Sequence, residues 1–215
     1  MLVVAVLVAT NIAGFSQRYL LNSPDNKLNL KIEASKETLK ATLFKNEQEL
    51  VTVSNLSLLL KGNPASNFQI AKTKTNKVAE DIFPEIREKG ALYKNVYNEL
   101  VLGFKNKQSV SFRLFNEGLA YRLSTDLKDS LTILKENAHL QLSEDDSLRF
   151  QSERSFNSAY EEPYQFKKLN DIKESQFIHL PVLVEKKSGP FLMITESDLY
   201  NFPGLYKSDS VIIKN

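Results

Sequence analysis

The sequence predicts an all-β protein built as an antiparallel β-sandwich. Short runs of alternating apolar and polar residues recur along the chain, separated by Gly, Asn, Asp, Lys or Ser clusters, and this spacing is typical of sandwiches and barrels. Helical periodicity is scarce: the best candidates are residues 66–75 and 127–135, and neither has convincing start and stop signals. These observations disfavour an α/β doubly wound sheet and favour one large domain.

Residues 1–16 are interpreted as a signal peptide. Residues 1–13 form an uncharged apolar run, and small residues lie three and one before a cleavage point after Ser16. A basic segment before the run is missing, which leaves the start codon open, and the alternative is an apolar first strand. No stretch reaches the roughly 20 apolar residues that a membrane-spanning helix needs. We therefore expect a periplasmic or secreted protein without a membrane span.

Two hairpins are predicted from alternation around turns. Residues 28–32 and 39–43 alternate on either side of a turn-prone segment at 34–37. Residues 116–118 (Asn-Glu-Gly) are predicted to join two further strands, because Asn and Gly tolerate positive φ. The other strand-like runs, including the two that flank this turn, are 50–53, 56–60, 68–71, 100–104, 110–115, 119–123, 138–142, 177–184 and 191–195.

Two segments depart from this strand pattern. Residues 145–173 are polar and aromatic with few alternating apolar positions, so they are predicted to form a long loop. Residues 210–215 end the sequence inside another apolar strand-like run, which predicts a sandwich truncated before its last strands. We expect residues 17–215 to form one incomplete domain.

Composition excludes several classes of function. Lys and Arg number 28 against 26 Asp and Glu, and no basic block is interleaved with aromatic residues, which argues against a nucleic-acid partner. Cysteine is absent, so disulfides, thiolate metal sites and a cysteine nucleophile are excluded.

The most informative segment is residues 181–206. Two apolar strand-like runs lead into an acidic turn that contains Glu196 and Asp198, and aromatic, Pro and Gly residues follow it. A carboxylate at the exit of a strand is well placed for a ligand. Residues 194–199 (ITESDL) and 203–206 (PGLY) resemble the corresponding segment of the amino-terminal domain of glycoside hydrolase family 97, the periplasmic α-glucosidases and α-galactosidases of Bacteroides-type bacteria.

Three further segments agree with this resemblance in their order and spacing. Residues 111–123 (SFRLFNEGLAYRL) are similar to a hairpin of the family, residues 97–100 (YNEL) to the entry of a central strand, and residues 23–27 (SPDNK) to the turn that opens the domain. The two shortest motifs are common by themselves, but together the segments span nearly the whole predicted mature chain.

The resemblance implies a galactose-mutarotase-like supersandwich that packs against a carboxy-terminal (β/α)8 barrel. It implies an enzyme that hydrolyses α-glucosidic or α-galactosidic bonds in oligosaccharides with calcium as cofactor. It further implies that Glu196 reaches the active site and joins barrel glutamates around calcium, a hard cation that takes about six to eight oxygen ligands. The family's catalytic residues lie on the barrel, so this chain is expected to contain none and to be inactive alone. Substrate-binding residues are left unassigned.

Other interpretations stay open from the sequence. Without the resemblance, Glu196 is a solvated turn acid, and Asp198 is interpreted as a turn cap. His139 and His179 lie in predicted strands and lack the aromatic, glycine-flanked context expected of a mutarotase-type epimerase. The main alternative function is a non-catalytic carbohydrate-binding sandwich, which would bind sugars without any barrel.

Overall fold

The computed structural model describes residues 16–62, 67–86, 89–128, 130–155, 157–172 and 176–198, together with the backbone at 206–207 and 212–213. The predicted signal peptide, apart from Ser16, and the segment 199–205 lie outside the described residues. None of the described residues belongs to a helix with the length and apolar character needed to span a bilayer.

Strands dominate the described part of the chain. In chain order they are β1 (Gln17–Asn22), β2 (Leu28–Ala34), β3 (Leu39–Lys45), β4 (Gln48–Leu60), β5 (Ile70–Ile82), β6 (Tyr93–Phe104), β7 (Gln108–Phe115), β8 (Leu119–Thr125), β9 (Ile133–Gln141), β10 (Ser147–Glu153), β11 (Gln165–Lys168), β12 (Phe177–Glu185), β13 (Phe191–Ile194), β14 (Tyr206–Lys207) and β15 (Ile212–Ile213). A 3₁₀ turn, Leu169–Asp171, follows β11.

These strands form three sheets. Sheet A has the order β1-β2-β3-β4-β9-β15, sheet B the order β5-β6-β7-β8, and sheet C the order β11-β10-β12-β13, with β14 also paired to β12. Strand β15 runs parallel to β9, whereas β2, β3, β6, β7 and β12 have antiparallel neighbours. The predicted all-β antiparallel fold class is confirmed.

Sheets A and B share one apolar core. Leu30 and Ile32 of β2 and Phe112 and Leu114 of β7 are fully buried in it, because alternate side chains of a strand point to the same face. A second core lies against sheet C and consists of Leu142, Leu148, Phe150, Leu169, Ile172, Ile178, Val182 and Val184. Each such fully buried aliphatic or aromatic side chain contributes about 1.5–3 kcal/mol of transfer free energy. The sandwich is therefore held by two cores rather than one.

The end of β13 lies where the two cores meet. Leu192 and Ile194 pack against both of them. The register of β13 against β12 is fixed by the pairs Val182 with Ile194 and Val184 with Leu192. Residues that follow Ile194 therefore leave the sheet from a well-defined position.

Both predicted hairpins are confirmed. β2 pairs with β3, and β7 pairs with β8 up to the pair Leu114 with Leu119. The turn at residues 116–118 is closed by the amide of Phe115, which donates to the carbonyl oxygen of Gly118 at 2.9 Å. The turn was predicted because Asn and Gly tolerate positive φ, and this reason was wrong. None of its three residues is among those with positive φ in the described structure. Asn116 instead accepts a hydrogen bond of 3.0 Å from the amide of Asp25 through its side-chain oxygen.

Other local predictions need correction. The runs 50–53 and 56–60 belong to one strand, β4, which is interrupted by a register shift next to Asn55, a residue with φ of 57°. The segment 145–173 is not a long loop, because it contains β10, β11 and the 3₁₀ turn. Where helices were considered, at 66–75 and 127–135, the structure instead has the beginnings of β5 and β9.

Candidate functional site

Glu196 lies two residues beyond the end of β13. Along β13 exposed and half-buried residues alternate, and the alternation continues through exposed Thr195 to half-buried Glu196. Glu196 is therefore in phase with Leu192 and Ile194, the residues of β13 that pack against the cores. Its side chain is partly shielded from solvent, unlike that of a fully solvated turn acid.

The segment after β13 is tied to the edge of sheet B. The carboxylate of Asp198 binds the guanidinium group of Arg122 on β8, the last strand of that sheet. We expected Asp198 to cap its own turn, and the structure pairs it with Arg122 instead. Both side chains are more than half exposed, so this ion pair adds little to stability. The contact shows that the segment containing Glu196 lies beside β8.

Two half-buried residues lie next to Glu196. The hydroxyl of Tyr121, on β8, donates a long hydrogen bond of 3.5 Å to Oε1 of Glu136 on β9. Glu196 is close enough to both residues to influence their titration electrostatically. The structure thus brings together residues from sheets A and B and from the segment that follows sheet C.

Tyr121, Glu136 and Glu196 bring two carboxylates together in a partly buried environment. Burial raises the pKa of Glu136, the hydrogen bond from Tyr121 acts in the opposite direction, and the negative charge of Glu196 raises it further. Burial also raises the pKa of Tyr121, with the charges of Glu136 and Glu196 adding to the effect. Tyr121 therefore stays a neutral hydrogen-bond donor, and the two glutamates repel each other.

This arrangement fits part of a calcium site. Calcium prefers carboxylate oxygens, and a cation beside Glu136 and Glu196 would relieve their repulsion. The described residues contain no group of three or more His, Cys, Asp or Glu that could hold a metal ion. A calcium site built here would need oxygen ligands from outside the described part of the chain.

Sequence analysis missed Glu136 and Tyr121. Glu136 shares its strand face with Ala138 and Leu140, both buried. A carboxylate at the end of an alternating apolar series was the available signal. Tyr121 lay within a recognised hairpin motif, but nothing in its local pattern placed it near Glu196.

The two histidines do not form a common site. His139 lies on β9 in sheet A, with Nδ1 3.4 Å from the side-chain amide of Asn55. His179 lies on β12 in sheet C, where it pairs with Gln151 of β10 and has Nε2 3.9 Å from Oε1 of Glu153. The two histidines therefore lie in different sheets.

The motifs recognised in the sequence contact one another. Arg113 donates to Glu99 between β7 and β6, and the side chain of Asn98 donates to the carbonyl oxygen of Asn22 at 2.8 Å. The turns at 23–27 and 116–118 are joined through the side chain of Asn116. Motifs far apart in the sequence thus share one end of sheet B, which is a structural reason for their occurring together.

Comparison with protein families agrees, over most of the chain, with the family resemblance of the sequence motifs. A family model described as the amino-terminal domain of glycosyl hydrolase 97 matches residues 21–211. The chain belongs to this family. The family 97 domain is also 28% identical over 205 residues to the retaining α-galactosidase of Bacteroides thetaiotaomicron, covering 90% of this chain and 31% of that protein.

Solved structures agree on the fold. A glycoside hydrolase family 97 enzyme from Pseudoalteromonas sp. strain K8 matches with a TM-score of 0.75 and 20% identity, over 87% of this chain and 30% of that enzyme. Structures of that enzyme with panose and with acarbose match to the same extent. The chain thus spans about a third of the length of the relatives it matches, which are glycoside hydrolases.

Proposed function

We propose that this family 97 domain is the amino-terminal part of a calcium-dependent α-glycosidase, exported to the periplasm or secreted. The whole enzyme would hydrolyse α-glucosidic or α-galactosidic bonds in oligosaccharides. The support comes from the α-galactosidase activity named for one relative and from the panose and acarbose complexes of another. Glycoside hydrolysis in most families needs two carboxylates on either side of the bond, and we assign that pair to the part of the enzyme that follows this domain.

The observation that carries the proposal is the position of Glu196. Its half-buried carboxylate lies beside Glu136 and Tyr121, directly after β13, whose Leu192 and Ile194 pack against both cores. In our proposal Glu196 supplies one calcium ligand, and a carboxy-terminal (β/α)8 barrel supplies the remaining ones. Calcium, when bound, supplies a fixed positive charge that attracts sugar oxygens. The residues of this domain hold Glu196 in place and keep solvent from one side of it.

The experiment compares Glu196→Gln with Glu117→Gln in the full-length enzyme. Glutamine keeps the size of the side chain but removes its charge, so the Glu196 variant should bind calcium at least tenfold more weakly, equivalent to about 1.4 kcal/mol. Its hydrolysis of oligosaccharides should recover in part when calcium is raised. Glu117 is an exposed acid of the turn at 116–118 and serves as the control. Calorimetric titration of calcium, run together with activity assays, tests whether Glu196 is a calcium ligand. Unchanged calcium affinity in the Glu196 variant would refute this role.

A carbohydrate-binding module is the second candidate. The outer face of sheet C has a row of side chains in which exposed Phe166 stacks on Arg149, with Leu183 and exposed Met193 continuing across the sheet. Exposed apolar patches of this kind mark binding surfaces. Titration of maltooligosaccharides or galactooligosaccharides into the isolated chain tests this function, and loss of binding in Phe166→Ala would locate it on sheet C.

A further inference from the structure

Two buried polar atoms on sheet C face each other without a hydrogen-bond partner. Glu153 is the last residue of β10, and His179 lies on β12. Oε1 of Glu153 and Nε2 of His179 are 3.9 Å apart, and the two side chains are 2% and 15% exposed. Neither atom has a hydrogen-bond partner in the described structure. Buried polar groups are nearly always satisfied, so a pair of unsatisfied atoms pointing at one place indicates a missing ligand.

The other polar atom of each side chain is already engaged. Nδ1 of His179 lies 3.1 Å from the carbonyl oxygen of Leu180. Because a carbonyl oxygen only accepts, Nδ1 bears the hydrogen of this bond. Oε2 of Glu153 accepts a hydrogen bond of 2.7 Å from the hydroxyl of Ser158. Both side chains are thus oriented so that the remaining atom of each faces the other.

We propose that one buried water molecule occupies this place and donates a hydrogen bond to each atom. A neutral imidazole with its hydrogen on Nδ1 presents a lone pair at Nε2, so His179 and Glu153 are two acceptors separated by more than a hydrogen-bond length. Two hydrogen bonds of about 2.8 Å that span this gap meet at about 90°, near the angle between the two O–H bonds of water. Water is the small ligand that can donate in both directions at once.

Two other occupants fit the geometry less well. Around a tetrahedral zinc ion with bonds of about 2.0 Å, the nitrogen and oxygen ligands would be about 3.3 Å apart, and the described residues include no group of three or more metal-ligating side chains. A direct pair of imidazolium and carboxylate would close to hydrogen-bond distance, about 2.8 Å. The observed separation is wider than either arrangement requires.

This water would anchor the segment between β10 and β11. The hydroxyl of Ser158 also accepts a hydrogen bond of 3.2 Å from the amide of Tyr160. The ring of Tyr160 meets that of His179 edge to face at 5.4 Å between centroids. Glu153, Ser158, Tyr160 and His179 therefore form a connected group, and the water completes it by joining β10, from which the segment leaves, to β12.

The first test compares Glu153→Gln with Glu161→Gln in this chain. The amide of glutamine can donate to the water, which still donates to Nε2 of His179, while the glutamine oxygen accepts from Ser158, so the buried atoms stay satisfied. The melting temperature of the Glu153 variant should stay within about 2 °C of the Glu161 control, an exposed position in the same segment. If His179 is instead an imidazolium paired with Glu153, the same change strands a buried charge and lowers the melting temperature by about 10 °C. That drop would overturn the proposal.

Two further measurements do not depend on a variant. Nitrogen NMR of the imidazole at neutral pH should show His179 with hydrogen on Nδ1 and none on Nε2. A high-resolution crystal structure should show one water within hydrogen-bond distance of both atoms. A doubly protonated ring, a metal ion in the density or an empty site would each reject the buried water.

Discussion

Arg113 and Glu99 are cross-strand neighbours in β7 and β6, with Nε of Arg113 2.8 Å from Oε1 of Glu99. One contact therefore joins two of the motifs that identify the family. Glu99 is buried, and it also accepts a hydrogen bond of 2.6 Å from the side chain of Asn76. Burial by itself raises the pKa of Glu99, but the hydrogen bonds from Arg113 and Asn76 outweigh it and hold the pKa below its ordinary value.

This lowered pKa predicts a stability contribution that is lost in acid. A depressed folded-state pKa stabilises the fold above the unfolded value of about 4.3, and the contribution disappears as the pH falls through the folded-state pKa. The difference in unfolding free energy between wild type and Glu99→Gln should therefore shrink between about pH 5 and pH 3. Urea denaturation across this range measures it, with Glu33→Gln, at an exposed ion pair with Arg18, as control. A difference that is the same at pH 7 and pH 3 would contradict the assignment.

Adjacent ion pairs near the start of β10 give a second prediction. Lys186 binds Asp146 at 2.8 Å, and the two side chains are 9% and 1% exposed. Lys186→Met leaves a buried aspartate with only backbone donors, the amides of Ser143 and Lys187. The unfolding free energy should fall by about 3 kcal/mol, as measured by urea denaturation.

The neighbouring pair is a matched control. Lys187 binds Asp145 at the same distance of 2.8 Å, but their side chains are 69% and 62% exposed. Lys187→Met should leave the unfolding free energy nearly unchanged because the pair is solvated. Equal effects of the two substitutions would show that burial does not decide the strength of these contacts.

The isolated chain should not hydrolyse nitrophenyl α-glucoside or α-galactoside. The described residues bring together Glu136 and Glu196, and our proposal uses that place for calcium rather than for bond cleavage. A pure preparation assayed with and without calcium measures the activity. Robust turnover in either condition would place catalytic groups within this chain and refute the assignment of the catalytic pair to a later domain.

A sandwich truncated within its terminal strand-like run also predicts that the isolated chain aggregates, because an unpaired strand Val211–Ile213 and uncovered apolar surface would be exposed. The structure corrects part of this argument. Ile212 and Ile213 pair with Leu140 and Gln141 of β9. Exposed Phe191 and Met193 on β13 remain a source of self-association.

Strand prediction succeeded for β2 and β7, in which one face of the strand is buried. The alternation of β2 and β7 places buried residues at every second position, and both hairpins were predicted with nearly their observed bounds. β5 was mostly missed because it is an edge strand in which every residue is exposed or half-buried. A strand without a buried face has no apolar periodicity to detect.

The candidate site was predictable only in part. Glu196 was found because its surrounding motif resembles that of a known family. Glu136 and Tyr121 reach the same place from other strands, and their proximity depends on how the sheets pack rather than on local sequence. A local sequence pattern carries no information about such contacts between sheets.

Glu136→Gln gives the final prediction. Burial and the charge of Glu196 both raise the pKa of Glu136, so its ionised form at pH 7 opposes folding of the isolated chain. Glutamine keeps an oxygen that accepts the hydrogen bond from Tyr121 and removes the charge. Thermal unfolding should show a small stability gain over wild type, limited by solvent screening because Glu136 is only half-buried, with Glu117→Gln near zero.

The same substitution, which should stabilise the domain without calcium, should weaken the binding of calcium. In our proposal the full-length enzyme binds calcium beside both Glu136 and Glu196, so removing one charge should weaken calcium binding even though it stabilises the domain without calcium. Calorimetric titration of calcium into the Glu136→Gln enzyme measures this affinity. A variant that is less stable without calcium, or that binds calcium as tightly as wild type, would show that the two carboxylates do not act on the same cation.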